Sequence, residues 1–179
     1  MGESFQSLRD GPRFRARDDR CHHHPGAPAC SRRKRGTQKE AIGRSRGGLS
    51  TKIHIAVDAV GHPLRLILTA GEVHEATQAG ALIEGLTLIS LIADKGFDTD
   101  AFRVELADAE VDVVIPPKAS RAAEIAYDEN AYGLRYRIEC FINKIKHYRR
   151  VATRYEKTAR NFLSMVMLAA VMVWLRDLV

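Results

Sequence analysis

Residues 132–146 read YGLRYRIECFINKIK, with a single acid, Glu139, inside a strongly basic stretch. From Tyr132 to Arg160 there are nine Lys/Arg against two acids, Glu139 and Glu156. Wound as an α-helix at ~100° per residue, Tyr132, Arg135, Glu139, Asn143, Lys146 and Arg150 fall within an arc of about 80°. Leu134, Ile138, Phe141, Ile145, Tyr148 and Ala152 take the opposite side, giving one apolar stripe and one polar row. An i,i+4 pair of Arg135 with Glu139 would suffice for an ordinary solvated face. One acid among so many donors is not charge-balanced, however, and the row has the composition of a phosphate-binding track with a metal-binding carboxylate in it.

A second carboxylate with a defined position lies upstream. The run SLIADKGFD is short and apolar and stops at Asp94, the pattern of a buried strand that delivers an acid at its end. Asp98, four residues later, competes with Asp94 for the same role, and Asp98 or Thr99 is the expected N-cap of a following helix through Phe102, Val104 and Leu106. Asp58 is expected to be a surface acid near a turn.

The elements that must position these groups follow from periodicity. Ile53, Ile55 and Val57 alternate with His54, Ala56 and Asp58, and Leu64, Leu66 and Leu68 alternate after Val60-Gly61-His62-Pro63, which reads as a β-hairpin. EATQAGALIEGL has helical spacing, with Ala79, Leu82, Ile83 and Leu86 on one side. VDVVIPP is a further buried strand stopped by Pro116-Pro117. Two long helices are predicted over about 131–152 and 157–177. The order strand, strand, helix, strand, helix, strand, helix, helix is that of an α/β domain with a mixed sheet.

The spacing Tyr132-x2-Arg135-x3-Glu139-x6-Lys146 resembles the Tyr-Arg-Glu-Lys signature of bacterial insertion-sequence DDE transposases. The segments AIGRSRGGLSTKIH, IADKGFD, VVIPPKASR and FINKIKHYRRVATRYEKTARNFL are similar to one subgroup, so the likeness spans about residues 41–175. It implies a ribonuclease-H-like fold and a site in which carboxylates hold two Mg²⁺ (Mn²⁺ in its place) for DNA strand cleavage and transfer. Two such ions about 3.5–4 Å apart activate the attacking oxygen and stabilise the leaving one, and Mg²⁺ takes hard oxygen ligands. Residue by residue, the resemblance makes Asp94 and Glu139 catalytic and metal-binding. It makes Tyr132, Arg135 and Lys146 contacts to DNA phosphate, and Asn143 and Arg150, on the same polar row, are expected to bind DNA with them. Double-stranded DNA, a homodimer on it, no membrane and a cytoplasmic location are the expected surroundings.

The departure from the family pattern is at the front. The first catalytic Asp belongs on the first strand, yet RFRARDDRCHHHPGAPACSRRKRG offers only Asp18 and Asp19, neither in an apolar alternating run. Residues 2–31 read like a shifted frame, so the first strand is expected to be missing or degraded and the copy decayed or truncated. The family's N-terminal DNA-recognition region is expected to be absent or truncated as well. Residues 1–40 are expected to form a basic, disordered arm and 41–179 a partial catalytic domain. A non-catalytic DNA-binding fragment that interferes with a full-length transposase is the alternative, and a basic helical interaction module is a third reading.

Bulk composition agrees with a basic arm on a near-neutral body. The net charge is +6. Residues 1–52 hold thirteen Lys/Arg and five Asp/Glu, a balance of +8, leaving −2 for residues 53–179. That asymmetry favours a nucleic-acid partner. Three cysteines, Cys21, Cys30 and Cys140, give an odd count without framework spacing and point to a reducing compartment. Cys21 and Cys30 flank three histidines at no zinc-finger spacing. The apolar run Phe162–Leu175 is shorter than the ~18 residues a membrane span needs and is expected to be a buried helix.

Overall fold

A computed structural model describes residues 5–15, 37–45, 48–122 and 125–177. In chain order the strands are β1 (Phe5–Arg15), β2 (Gly43–Ser45), β3 (Gly48–Val57), β4 (Pro63–Ala70), β5 (Ser90–Ala93) and β6 (Asp112–Val114). The α-helices are α1 (Ala79–Ile83), α2 (Asp100–Asp108), α3 (Glu129–Gly133), α4 (Tyr136–Lys146), α5 (Arg149–Ala152) and α6 (Ala159–Asp177). Among the described residues these strands form one mixed sheet in the order β2-β3-β1-β5-β6, with β4 on the outer side of β3. β1 runs antiparallel to β3 and parallel to β5, and β6 is parallel to β5.

A strand, β1, is therefore present at the centre of the sheet, where sequence reading expected the first strand to be missing or degraded and residues 5–15 to belong to a disordered arm. FQSLRDGPRFR has weak strand character, with three large apolar residues and a Gly-Pro pair. Pairing on both sides overrides that propensity. The ladder with β3 slips between Asp10 and Arg13, at Gly11-Pro12, where proline has no N–H to donate. Residues 37–40 form a short 3-10 helix. Asp18, Asp19, Cys21, Cys30 and the three histidines between them lie outside the described residues.

Helices cover both faces of the sheet, so β3 is buried on both sides. Its Ile53, Ile55 and Val57 pack with Ile138, Phe141, Ile142 and Ile145 of α4, Val151 of α5 and Phe162 and Val166 of α6. Ala56, Leu91 and Ala93 pack on the other face with Ala79, Leu82, Phe97, Phe102 and Leu106. The polar side chains of β3 go inside too. Lys52 donates to the Val73 carbonyl and pairs with Glu75, and His54 Nε2 meets Thr69 Oγ1 at 2.8 Å. Burial, with Lys52 adding to it, lowers the His54 pKa to about 4 although Glu75 opposes, so the ring is neutral at pH 7.

Two expected elements differ in extent. The helix after the hairpin is a 3-10 turn, Glu75–Gln78, followed by the five residues of α1, and Gly85 at φ +70 ends the segment before Leu86. The apolar C-terminal run sits in a 19-residue helix, α6. Its window Ala159–Arg176 is, by length and composition, long and apolar enough to cross a membrane. The 14-residue count missed this because the helix continues into Ala159–Asn161 and Arg176.

Candidate active site

Asp94 directly follows β5, whose four residues are all buried because parallel strands are covered on both faces. The chain turns there into a 3-10 helix, Lys95–Phe97, and the Asp94 carboxylate accepts the Lys95 N–H at 2.9 Å. Asp94 is thus held at the rim of the sheet by the turn that ends its strand.

The partner group comes from α3 and α4. Asp128 caps α3 by accepting the Asn130 and Ala131 amides. The chain then tightens, with amides of 134, 135, 137 and 138 each bonded to the carbonyl three residues back. At three residues per turn, positions i and i+3 eclipse, which stacks the Arg135 guanidinium 5.4 Å from the centroid of the Tyr132 ring. Arg135 reaches Glu139 Oε1 at 3.0 Å and Asp94 Oδ2 at 3.9 Å. The Tyr132 hydroxyl stands 3.5 Å from Asp94 Oδ1. Burial and then the Asp94 charge push the Tyr132 phenol up, against Arg135, so it remains a neutral donor at pH 7. Tyr127, which sequence reading did not single out, packs edge-on against Tyr132 at 5.6 Å and fixes its ring.

Four of the seven predicted site residues, Asp94, Tyr132, Arg135 and Glu139, therefore meet around one guanidinium. Asn143 and Lys146 continue the exposed side of α4. Arg150 does not share that helix. Amides of 147 and 148 close onto 144 and 145, Tyr148 is extended, and Arg150 lies on α5, 3.9 Å from Glu156. The continuous helix of 131–152 is in fact three, broken at 134–135 and 147–148. Arg154, one of the nine cations counted, is buried at 1% exposure.

Asp98 does not compete for a metal. Its side chain is 0% exposed, and Arg103, Arg121 and the Lys118 amide use both its oxygens. Thr99, not Asp98, caps α2. Burial alone would raise the Asp98 pKa. The bonds from Arg121, Lys118 and Arg103 win and hold it at about 2. A depressed carboxyl stabilises the fold above its unfolded pKa, near 4, and that contribution fades as pH falls through 2. Urea unfolding at pH 6 and pH 2 should show a loss of about 2 kcal/mol from this group. Asp98→Asn should remove that part of the pH dependence and lower stability at pH 7 by about 3 kcal/mol, because two arginines lose their partner.

Whether a divalent cation suits the site can be judged from its donors. Two carboxylates from different elements already share one cation, Arg135, and their ligating atoms are hard oxygens of the kind Mg²⁺ takes. The Arg135 Nη1 atom, 3.9 Å from Asp94 Oδ2, is buried and makes no hydrogen bond. Among the described side chains, no three His, Cys, Asp or Glu converge. A further acid lies on the strand that pairs with β5. Leu8 of β1 pairs with Ala93, and Asp10, the one acid in β1, lies two residues on, opposite His54 of β3. The residues present fit the group in kind.

Fold and site place the chain among α/β proteins in which a strand-end acid and a helix acid share a cation beneath a helix rich in exposed basic residues. Residues 10–174 match the transposase DDE domain family. A Brucella ovis protein described as a transposase for insertion sequence element IS6501 is 41% identical over 132 residues, covering 72% of this chain and 100% of that protein. A Burkholderia cepacia protein described as a transposase for insertion sequence element IS402 is 32% identical over 128 residues, 65% of this chain and 57% of that longer protein. The chain belongs to the transposase family that carries a DDE domain.

Proposed function

We propose that this chain is the catalytic domain of an insertion-sequence transposase that cleaves and transfers DNA strands in the presence of Mg²⁺ or Mn²⁺. The reading takes the sheet as ribonuclease-H-like, supported by a central β1 with an antiparallel neighbour on one side and a parallel one on the other. The observation that carries it is the Arg135 guanidinium reaching both Asp94 and Glu139, which brings acids 45 residues apart in the chain to one cation.

Asp94 and Glu139 would hold the metal, with Asp10 as the third carboxylate. When bound, the divalent ions polarise the phosphodiester and stabilise charge on the attacking and leaving oxygens. Arg135, stacked on the Tyr132 ring, would also contact a phosphate oxygen, and Tyr132 orients Asp94. Asn143, Lys146 and Arg150 extend the contact along the DNA backbone. The protein acts as a homodimer on double-stranded DNA in the cytoplasm, without a membrane. The alternative, a non-catalytic DNA-binding fragment, is favoured by one observation: the two described acids are bridged by an arginine and joined by no third described acid side chain.

Incubating the protein with DNA carrying the ends of its insertion sequence, with and without Mg²⁺, tests both readings. Nicks at the ends that require the metal are expected. DNA binding should weaken steeply with salt, log K falling by about 0.9 per phosphate contact for each decade of salt. Salt-dependent binding without metal-dependent nicking would leave the fragment reading in place, and salt-independent binding would remove both.

A further inference from the structure

The outer side of α6 carries two apolar stripes that serve neither the core nor the candidate site. Its inner side, Phe162, Val166, Ala169, Ala170 and Val173, is buried against the sheet. Leu168, Met172 and Leu175, spaced i, i+4 and i+7, form a ridge whose members are 42–56% exposed. Met167, Val171 and Trp174, at the same spacing about 100° away, form one wall of a cavity of about 650 Å³. Pro63, Leu64, Arg65 and Leu66 of β4, with Asp58 and His62 of the turn before it, form the other wall. Trp174 also packs edge-on against His62 at 6.2 Å.

We propose that this face is a two-fold interface between copies of the chain, the 168/172/175 ridge of each copy seated in the 167/171/174 groove of the other. Both halves of the contact are on one surface, as an isologous pairing requires. The six outward residues, at side-chain areas of ~200 Å², expose roughly 600 Å² before Leu64 is added, against ~800 Å² per partner in specific interfaces. The patch has the size at which apolar surface on a monomer marks an interaction site. A bilayer is a poor occupant, since inserting α6 would strip five buried side chains from the sheet. Pairing itself belongs to the proposed function, but this interface needs neither DNA nor metal. Loss of cleavage and loss of the dimer are therefore separate outcomes.

Sedimentation equilibrium of the full chain without DNA, at micromolar to ~100 µM concentrations, tests it. A dimer is expected. Leu168→Lys on the ridge and Val171→Glu in the groove should each weaken it by at least about a hundredfold, because each buries a charge twice in the pair. Both positions are about half exposed on a formed helix, so far-ultraviolet circular dichroism should stay at the wild-type value, and the urea midpoint should match wild type at concentrations low enough for both to be monomeric. Leu175→Lys, one turn from the first ridge position, provides a second ridge variant. Mixing Leu168→Lys with Val171→Glu should restore a heterodimer, since one ridge lysine then meets one groove glutamate and the second contact is wild type. A monomeric wild type at ~100 µM, a dimer indifferent to either substitution, failure of the mixture to pair, or partitioning of the wild type onto phosphatidylcholine vesicles would each overturn the proposal.

Discussion

Glu139→Gln is expected to lower metal-dependent strand cleavage by at least about a thousandfold, ~4 kcal/mol of barrier, with the fold and DNA binding intact. The substitution keeps shape and one acceptor oxygen while removing the charge. Glu139 is 39% exposed and its link to Arg135 is a surface i,i+4 pair, worth about 0–1 kcal/mol, so the urea midpoint should barely move. DNA affinity should stay level or rise slightly, because a negative charge leaves the surface proposed to face phosphate. Asp94→Asn should behave in the same way, its amide oxygen still able to accept the Lys95 N–H.

Asp10→Asn is the more discriminating variant. If position 10 supplies the third carboxylate, cleavage falls as far as for Glu139→Gln with binding unchanged. Arg135→Ala should separate from all three. It removes a cation from both acids and a donor from DNA, so the slope of log K against log salt should fall by about one. Cleavage by Glu139→Gln at the wild-type rate would sink the assignment of the site.

How far the sequence disclosed this site depends on which interactions hold each residue. Asp94 was legible because a parallel strand buried on both faces is a bare apolar run, and the run stops where the acid begins. The apolar side of α4 was legible because Ile138, Phe141 and Ile145 repeat at the helical period and bury on one stripe. Strand β1 was not legible, because its pairing partners are 35–50 and 85 residues away and its own residues are polar, basic and interrupted by Gly11-Pro12. The breaks at 134–135 and 147–148 were equally hidden. They arise where bonds to the residue three back replace bonds to the residue four back, a choice that periodicity does not encode. The first break left Tyr132, Arg135 and Glu139 together because eclipsed i,i+3 positions keep Tyr132 beside Arg135 and the i,i+4 spacing keeps Arg135 beside Glu139. The second carried Arg150 onto another helix and to Glu156. A cation count had no means of distinguishing an arginine that faces solvent from one that faces inward, and Arg154 shows how much that matters.

Arg154→Leu is expected to cost about 4 kcal/mol in urea unfolding, with the melting temperature lower by ~8–16 °C. The guanidinium is buried between residues 40–51 and the link from α5 to α6. It donates to the carbonyls of Glu40 at 2.8 Å, Ala41 at 3.1 Å and Glu156 at 3.0 Å, and to Thr51 Oγ1. Its Cζ lies 5.1 Å from the Phe162 ring centroid. Burial lowers its pKa while Glu40 and Glu156 oppose, a balance that keeps the cation in place without a direct carboxylate partner. Leucine would fill part of the volume and leave several buried acceptors without donors, at about 1–3 kcal/mol for each one that finds no water. Ala41 adds to the cost. It sits in the left-handed region at φ 48 with its carbonyl taken by Thr51 and Arg154 together, a conformation that persists only while its surroundings hold it. Arg154→Lys should lie between, because an ammonium keeps the charge but lacks the planar fork that reaches three carbonyls at once. Against a total stability of ~5–15 kcal/mol, the leucine variant would be close to unfolding at 37 °C. A phosphate-contacting role predicts the reverse: unchanged stability and a shallower salt dependence of DNA binding. Urea titration and a salt series on the same variant therefore decide whether this arginine ties the ends of the domain together or touches DNA.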